Sequence, residues 1–110
     1  MASASEETFA RITAHYQGQT DVTTGTGFGG NPGLRVGGKI FAMLVRDELV
    51  VKLPRDRAEG LVSSGSGVPF DPGHGRLMRE WVSVPIASVR DWPDLVAEAF
   101  AYLAPAAKRR

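Results

Sequence analysis

Apolar residues recur at Phe9, Ile12 and Tyr16, a spacing of i, i+3 and i+7 that lines one face of a helix. Ser3-Ala4-Ser5-Glu6 precedes them as a Ser-x-x-Glu capping box and Gly18 follows as a stop, so the pattern predicts a first helix over 3–17. Residues 21–26 are rich in β-branched side chains and predict a strand. That strand dissolves into a loop over 25–38, where seven of fourteen positions are glycine. The run 39–45 is apolar from Ile40 to Val45 without alternation, as in a central strand covered on both faces. Arg46-Asp47-Glu48 is its turn, and 49–53 returns as the second arm of a hairpin.

Pro54 has no amide for a ladder but is suited to open a helix, and Ala58, Leu61 and Val62 form a short stripe over 54–63, weakened by Gly60. Val68-Pro69-Phe70 predicts a short strand at a sheet edge, because proline cannot donate to an inner ladder. Residues 71–75 are a turn cluster. Residues 80–85 alternate with period two, the pattern of a half-exposed strand. A last helix starts at Asp91 or Trp92 with Pro93 in its first turn, and Leu95, Val96, Ala99, Phe100 and Leu103 give it a broad apolar face. The predicted order is αβββαββα. Short turns between neighbouring strands imply a two-layer α+β fold with a mainly antiparallel sheet and helices packed against it.

The chain has 110 residues, 43% of them hydrophobic, and no cysteine, so it is read as one domain over 1–105 with a basic tail at 106–110. Disulfide scaffolds and thiolate metal sites are excluded. The formal charge of +1 is unevenly spread: Lys108, Arg109 and Arg110 account for three of the 13 basic residues, leaving 10 against 12 acidic ones in the body. The expected role of the tail is solubility. No apolar window is long enough to span a membrane and the N-terminus has no signal-like segment, so the expected location is the cytoplasm, without membrane association.

Two glycine patterns resemble nucleotide sites. Gly25-Thr26-Gly27-Phe28-Gly29-Gly30 satisfies G-x-G-x-x-G, but a strand pattern follows where the fingerprint needs a helix whose amides face a pyrophosphate. Gly33-Leu34-Arg35-Val36-Gly37-Gly38-Lys39 matches a phosphate loop up to its lysine, then has Ile40 where a hydroxyl would hold magnesium. No cofactor is expected. His15 and His74 are too far apart in pattern to suggest a metal site, and Ser63, Ser64 and Ser66 have no neighbouring His or Lys to act as base. Asp47/Glu48 and Asp91/Asp94 fit a turn and a helix start rather than an acid–base pair. No catalytic residue is expected.

Phe28-Gly29-Gly30, Gly38-Lys39-Ile40-Phe41-Ala42, 47–53, Val68-Pro69-Phe70, Arg76-Leu77-Met78, 81–85 and the closing helix together resemble the TfoX N-terminal domain-like family, related to the TfoX/Sxy competence regulators. The same order, above all 38–42, Val51-Lys52-Leu53-Pro54 and the Trp81 strand, is also similar to the neighbouring MmcQ/YjbR family. Both resemblances imply a small antiparallel α+β domain without an established catalytic site. The TfoX resemblance implies a part in transcriptional regulation, although full-length regulators carry a C-terminal domain not found in these residues. The MmcQ/YjbR resemblance carries a suggestion of DNA binding.

The leading expectation is therefore a non-enzymatic regulatory domain that binds a protein partner, with Phe28, Gly29, Gly30 and Trp81 as candidate contacts. The alternative is a nucleic-acid surface in which Arg46, Lys52, Arg55, Arg57, Arg76 and Arg79 share one side with Trp81 and contact phosphates. An enzyme with an unrecognised pocket is the remaining alternative. A monomer and a homodimer paired through a free sheet edge are both compatible with the pattern.

Overall fold

The computed structural model describes residues 3–19, 21–26, 32–70 and 80–108. The capping box forms as expected: Ser3 Oγ accepts the Glu6 amide at 3.2 Å and the Ser3 amide donates to Glu6 Oε1 at 3.0 Å, starting helix α1 at Ala4–Tyr16. Strands β1 (Val22–Thr26), β2 (Pro32–Val36), β3 (Lys39–Val45) and β4 (Glu48–Lys52) follow. Helix α2 (Arg55–Ser63) comes next, then β5 (Val68–Pro69), β6 (Trp81–Val84), a 3-10 turn at Ile86–Asp91 and α3 (Trp92–Lys108). The six strands form one antiparallel sheet in the order β1-β2-β3-β4-β6-β5. The fold is α+β, and the expected elements occur in the expected order.

Strand β2 corrects the expected loop over 25–38. Leu34 and Val36 alternate with Gly33 and Arg35, and both bury fully against the helices. Gly37 and Gly38, at φ of 59° and 83°, then make the two-residue turn into β3. The phosphate-loop pattern at 33–39 is thus a β-hairpin, with Lys39 exposed at the head of β3. In the next hairpin the turn narrows to Arg46 and Asp47, at φ of 49° and 66°, and Glu48 already belongs to β4.

A register shift in the β2–β3 ladder sets Leu34 opposite Ala42 and Arg35 opposite Ile40, leaving Phe41 as an extra residue on β3. Phe41 and Ala42 therefore both turn to the helices, while Ile40, Met43 and Val45 turn to the opposite face. The main core joins the helices to one face of the sheet, from Phe9, Ile12 and Tyr16 through Phe41, Leu49, Val51 and Val84 to Trp92, Val96 and Ala99. Tyr16, Phe41 and Phe100 meet as an aromatic trio with centroids 5.0–5.5 Å apart. Trp92, fully buried at the start of α3, donates its Nε1–H to the Pro85 carbonyl at 3.3 Å.

Candidate binding surface

The other face of the sheet carries a smaller apolar cluster of Met43, Val50, Phe70 and Trp81, with Ile40 and Val45 packed against it. All the buried apolar residues of the described helices belong to the main core, so among the described residues this second cluster is built from strands and Phe70. One cross-strand row runs Met43, Val50, Ser83 and Val68. Ser83 is thus a hydroxyl set among apolar neighbours. It is buried, and it is satisfied by donating to Glu48 Oε1 at 2.6 Å from the diagonal position on β4.

The expectation of a half-exposed β6 is corrected here. All four of its residues are buried, because β6 lies inside the sheet between β4 and β5, with Val82 and Val84 in the main core and Trp81 in the smaller cluster. Trp81, 6% exposed, anchors that cluster with its ring centroid 6.5 Å from that of Phe70. Lys52, paired with it across the strands, sets its ammonium 6.0 Å from the Trp81 ring.

Beside β5 a depression of about 270 Å³ is walled by Val45, Val68, Pro69 and Phe70 and lined by Arg46, Glu48 and Ser83. Val68 is 53% exposed at its rim, the most exposed large apolar side chain among the described residues. Neither Phe70 nor Val68 was singled out as a contact from the sequence. The signal was present in the proline-bearing edge strand, but the partnership of Glu48 with Ser83, 35 residues apart, has no local mark.

The basic residues do not share one side. Lys52 lies on the face turned away from the described helices, Arg46 in the β3–β4 turn, and Arg55 and Arg57 on α2, which packs on the opposite face. Three of them are held by carboxylates. Lys52 Nζ lies 3.9 Å from Glu80, Arg55 Nε donates to Glu59 at 3.1 Å, and Arg57 grips Glu98 of α3 with two bonds of 2.7 and 3.0 Å. The Glu98 hydrogen bonds hold the Arg57 pKa above its ordinary value. That pair edges a second depression of about 330 Å³, where Asp91 and Asp94 also stand. Phe28, Gly29, Gly30, His74, Arg76 and Arg79 lie outside the described residues.

Serine hydroxyls elsewhere are committed in the same way: Ser5 donates to Asp47 at 2.6 Å and Ser64 to the Leu61 carbonyl at 3.1 Å. His15 packs edge-on against Tyr16 at 4.9 Å. Among the described residues no cluster of three or more His, Cys, Asp or Glu is placed to hold a metal ion, and no helix is long and apolar enough to cross a membrane.

A YjbR family model matches residues 17–102, or 86 of the 110 positions, and so takes in all six strands and most of α3. The chain belongs to the YjbR family. The match falls to the second of the two families that the motifs resemble, and among curated proteins no match is found. In this YjbR-family chain the matched span includes the smaller apolar cluster, the depression beside β5 and the main core apart from Phe9, Ile12 and Tyr16 of α1 and Leu103 and Ala104 of α3.

Proposed function

We propose that this YjbR-family domain is a non-enzymatic binding module whose partner is a protein, received beside β5 on the sheet face turned away from the described helices. The depression there carries the reading: apolar walls from Val45, Val68, Pro69 and Phe70 surround a polar lining in which the Glu48 carboxylate can accept a hydrogen bond from an inserted side chain. A regulatory setting for that binding is part of the proposal, and its support is the likeness of the motifs to the N-terminal domain of competence regulators. Serine hydroxyls spent on carboxylates and carbonyls, with no described histidine beside them, favour binding over covalent chemistry. Nucleic acid is the competing partner, and the carboxylates held by Lys52, Arg55 and Arg57 count against it, since each paired cation would have to give up its partner to reach a phosphate.

The test is site-specific photo-crosslinking in cells from position 68, with position 11 on the exposed side of α1 as control, alongside titration of a labelled duplex. Defined protein adducts from position 68 and none from position 11 are expected. Duplex binding that survives K108Q/R109Q/R110Q and weakens steeply with salt would overturn the proposal, because it would put a phosphate-binding surface on the folded body.

A further inference from the structure

Among the described residues strand β1 ends the sheet on one side, paired with β2. The amide of Gly37 donates to the Asp21 carbonyl at 3.0 Å, which makes the position just before β1 a hydrogen-bonded pair. Alternation along an antiparallel ladder then directs Thr23 and Gly25 toward β2, and leaves the amides and carbonyls of Thr24 and Thr26, with the carbonyl of Val22, facing outward. The Val22 amide is already used by the Gln19 carbonyl at 3.2 Å.

The two edges of the sheet are protected very differently. β5 is two residues long and contains Pro69. β1 is Val-Thr-Thr-Gly-Thr, with no charge, no proline and an unbroken register against β2, so it lacks the devices that normally keep an edge from pairing. Thr23, Thr24 and Gly25 are exposed, and a Cβ built on Gly25 meets nothing within 4 Å.

We infer that β1 pairs with β1 of a second copy of this chain, antiparallel about a two-fold axis at Thr24, joining two six-stranded sheets into one. The outward groups at positions 22, 24 and 26 are symmetric about that axis. Thr24 exchanges two backbone hydrogen bonds with the partner's Thr24, and each Thr26 amide donates to the partner's Val22 carbonyl. In the intervening pair Thr23 stands opposite the partner's Gly25, whose missing side chain and open surroundings leave room for the threonine. Self-complementarity of the strand, rather than a free edge alone, selects a second copy over an unrelated extended peptide. The inference stands independently of the proposed protein partner, which uses the other end of the sheet.

Five residues a side form a small interface, so the dimer should be weak and concentration-dependent. Sedimentation equilibrium across about two decades of concentration tests it, with Thr24→Lys as the variant. The lysines would sit directly opposite each other, while exposed Thr24 leaves the fold intact, as an unchanged urea midpoint would verify. At least a tenfold weakening of association is expected. Because the chain has no cysteine, Thr24→Cys gives a clean second readout: oxidation should yield a disulfide-linked dimer, since hydrogen-bonded pairs set Cα atoms about 5.5 Å apart, and Val68→Cys on the opposite edge should not. A wild-type chain that stays monomeric throughout, association unchanged in Thr24→Lys, or equal cross-linking from both cysteines would each overturn the inference.

Discussion

Gly67 offers a direct test of how tightly the exit of α2 packs on β6. It is buried, its amide donates to the Leu61 carbonyl at 3.2 Å, and a Cβ placed on it would stand 2.7 Å from Val82 Cγ2 and 3.2 Å from the Ser83 carbonyl oxygen. Val82 is fully buried mid-strand, and a β-branched side chain there has little rotameric freedom with which to withdraw. Gly67→Ala is therefore an overpacking substitution, expected to cost about 1–3 kcal/mol. With a urea m-value of about 2 kcal/mol/M for a domain of this size, the unfolding midpoint should fall by roughly 0.5–1.5 M. Tryptophan fluorescence during urea unfolding reads it, since Trp81 and Trp92 are both buried. Val82→Ala alone should cost about 2 kcal/mol through lost burial and a cavity, yet it removes the methyl that the new Cβ meets. The double variant should thus be more stable than the two single losses added together, by about 1 kcal/mol. Gly25→Ala, with nothing within 4 Å of its Cβ, is the control and should stay within about 0.5 kcal/mol of wild type. A Gly67→Ala midpoint equal to that of the control, or strict additivity with Val82→Ala, would refute the packing described here.

Gly60 lies inside α2, exposed and with open space around its would-be Cβ, so Gly60→Ala should stabilise the fold by about 0.5–1 kcal/mol and raise the urea midpoint. Ser5, buried on α1, ties that helix to the β3–β4 turn through its 2.6 Å bond to Asp47; Ser5→Ala should cost about 1.5–3 kcal/mol, and a double-mutant cycle with Asp47→Gly, which removes the acceptor and suits the positive φ there, should show most of it as coupling. Burial raises the Tyr16 pKa above its ordinary value of 10.0, so the folded state favours the neutral phenol. The resulting stability is fully present below about pH 10 and is lost as pH rises through the folded-state pKa. Urea midpoints should therefore fall in alkali, and less steeply in Tyr16→Phe; an equal fall in both proteins would exclude Tyr16 as the source. Tyr102, raised by desolvation and then by Glu80, leaves a residual slope of the same sign.

Local chemistry was legible where it closes within a few residues. The capping box at Ser3 and Glu6 and the apolar stripes of the three helices needed no tertiary information. Strand β2 was hidden by composition: seven glycines in fourteen positions masked a two-residue alternation at Leu34 and Val36, and Gly37-Gly38 marked a hairpin rather than a loop. Placement of the basic residues was not legible at all. Lys52 and Arg55 are three residues apart in sequence, yet the turn at Leu53 and Pro54 carries the chain from the sheet face turned away from the described helices to the helix layer. The partners that hold the basic groups are also split by distance. Glu59 is four residues from Arg55 and readable as a helical pair, whereas Glu98 is 41 residues from Arg57 and becomes its partner only once α2 and α3 pack.

The single extra residue at Phe41 decides which side chains of one apolar run serve each cluster. A regular strand over 40–45 would send alternate residues to each face and give the helices three side chains and the opposite face three. With the bulge, Phe41 and Ala42 both face the helices, where Phe41 completes the aromatic trio with Tyr16 and Phe100. The alternation then restarts so that Met43 and Val45 join Ile40 on the far side. Without that shift the strand would have to misplace either the ring that closes the main core or the methionine beneath Trp81. The bulge sits in the β2–β3 ladder, one strand in from β1, so the irregularity that bends the sheet is kept off the edge and β1 retains an unbroken register. The same local insertion thus sorts the run between the two apolar faces and leaves intact the strand geometry on which the inferred pairing with a second copy depends.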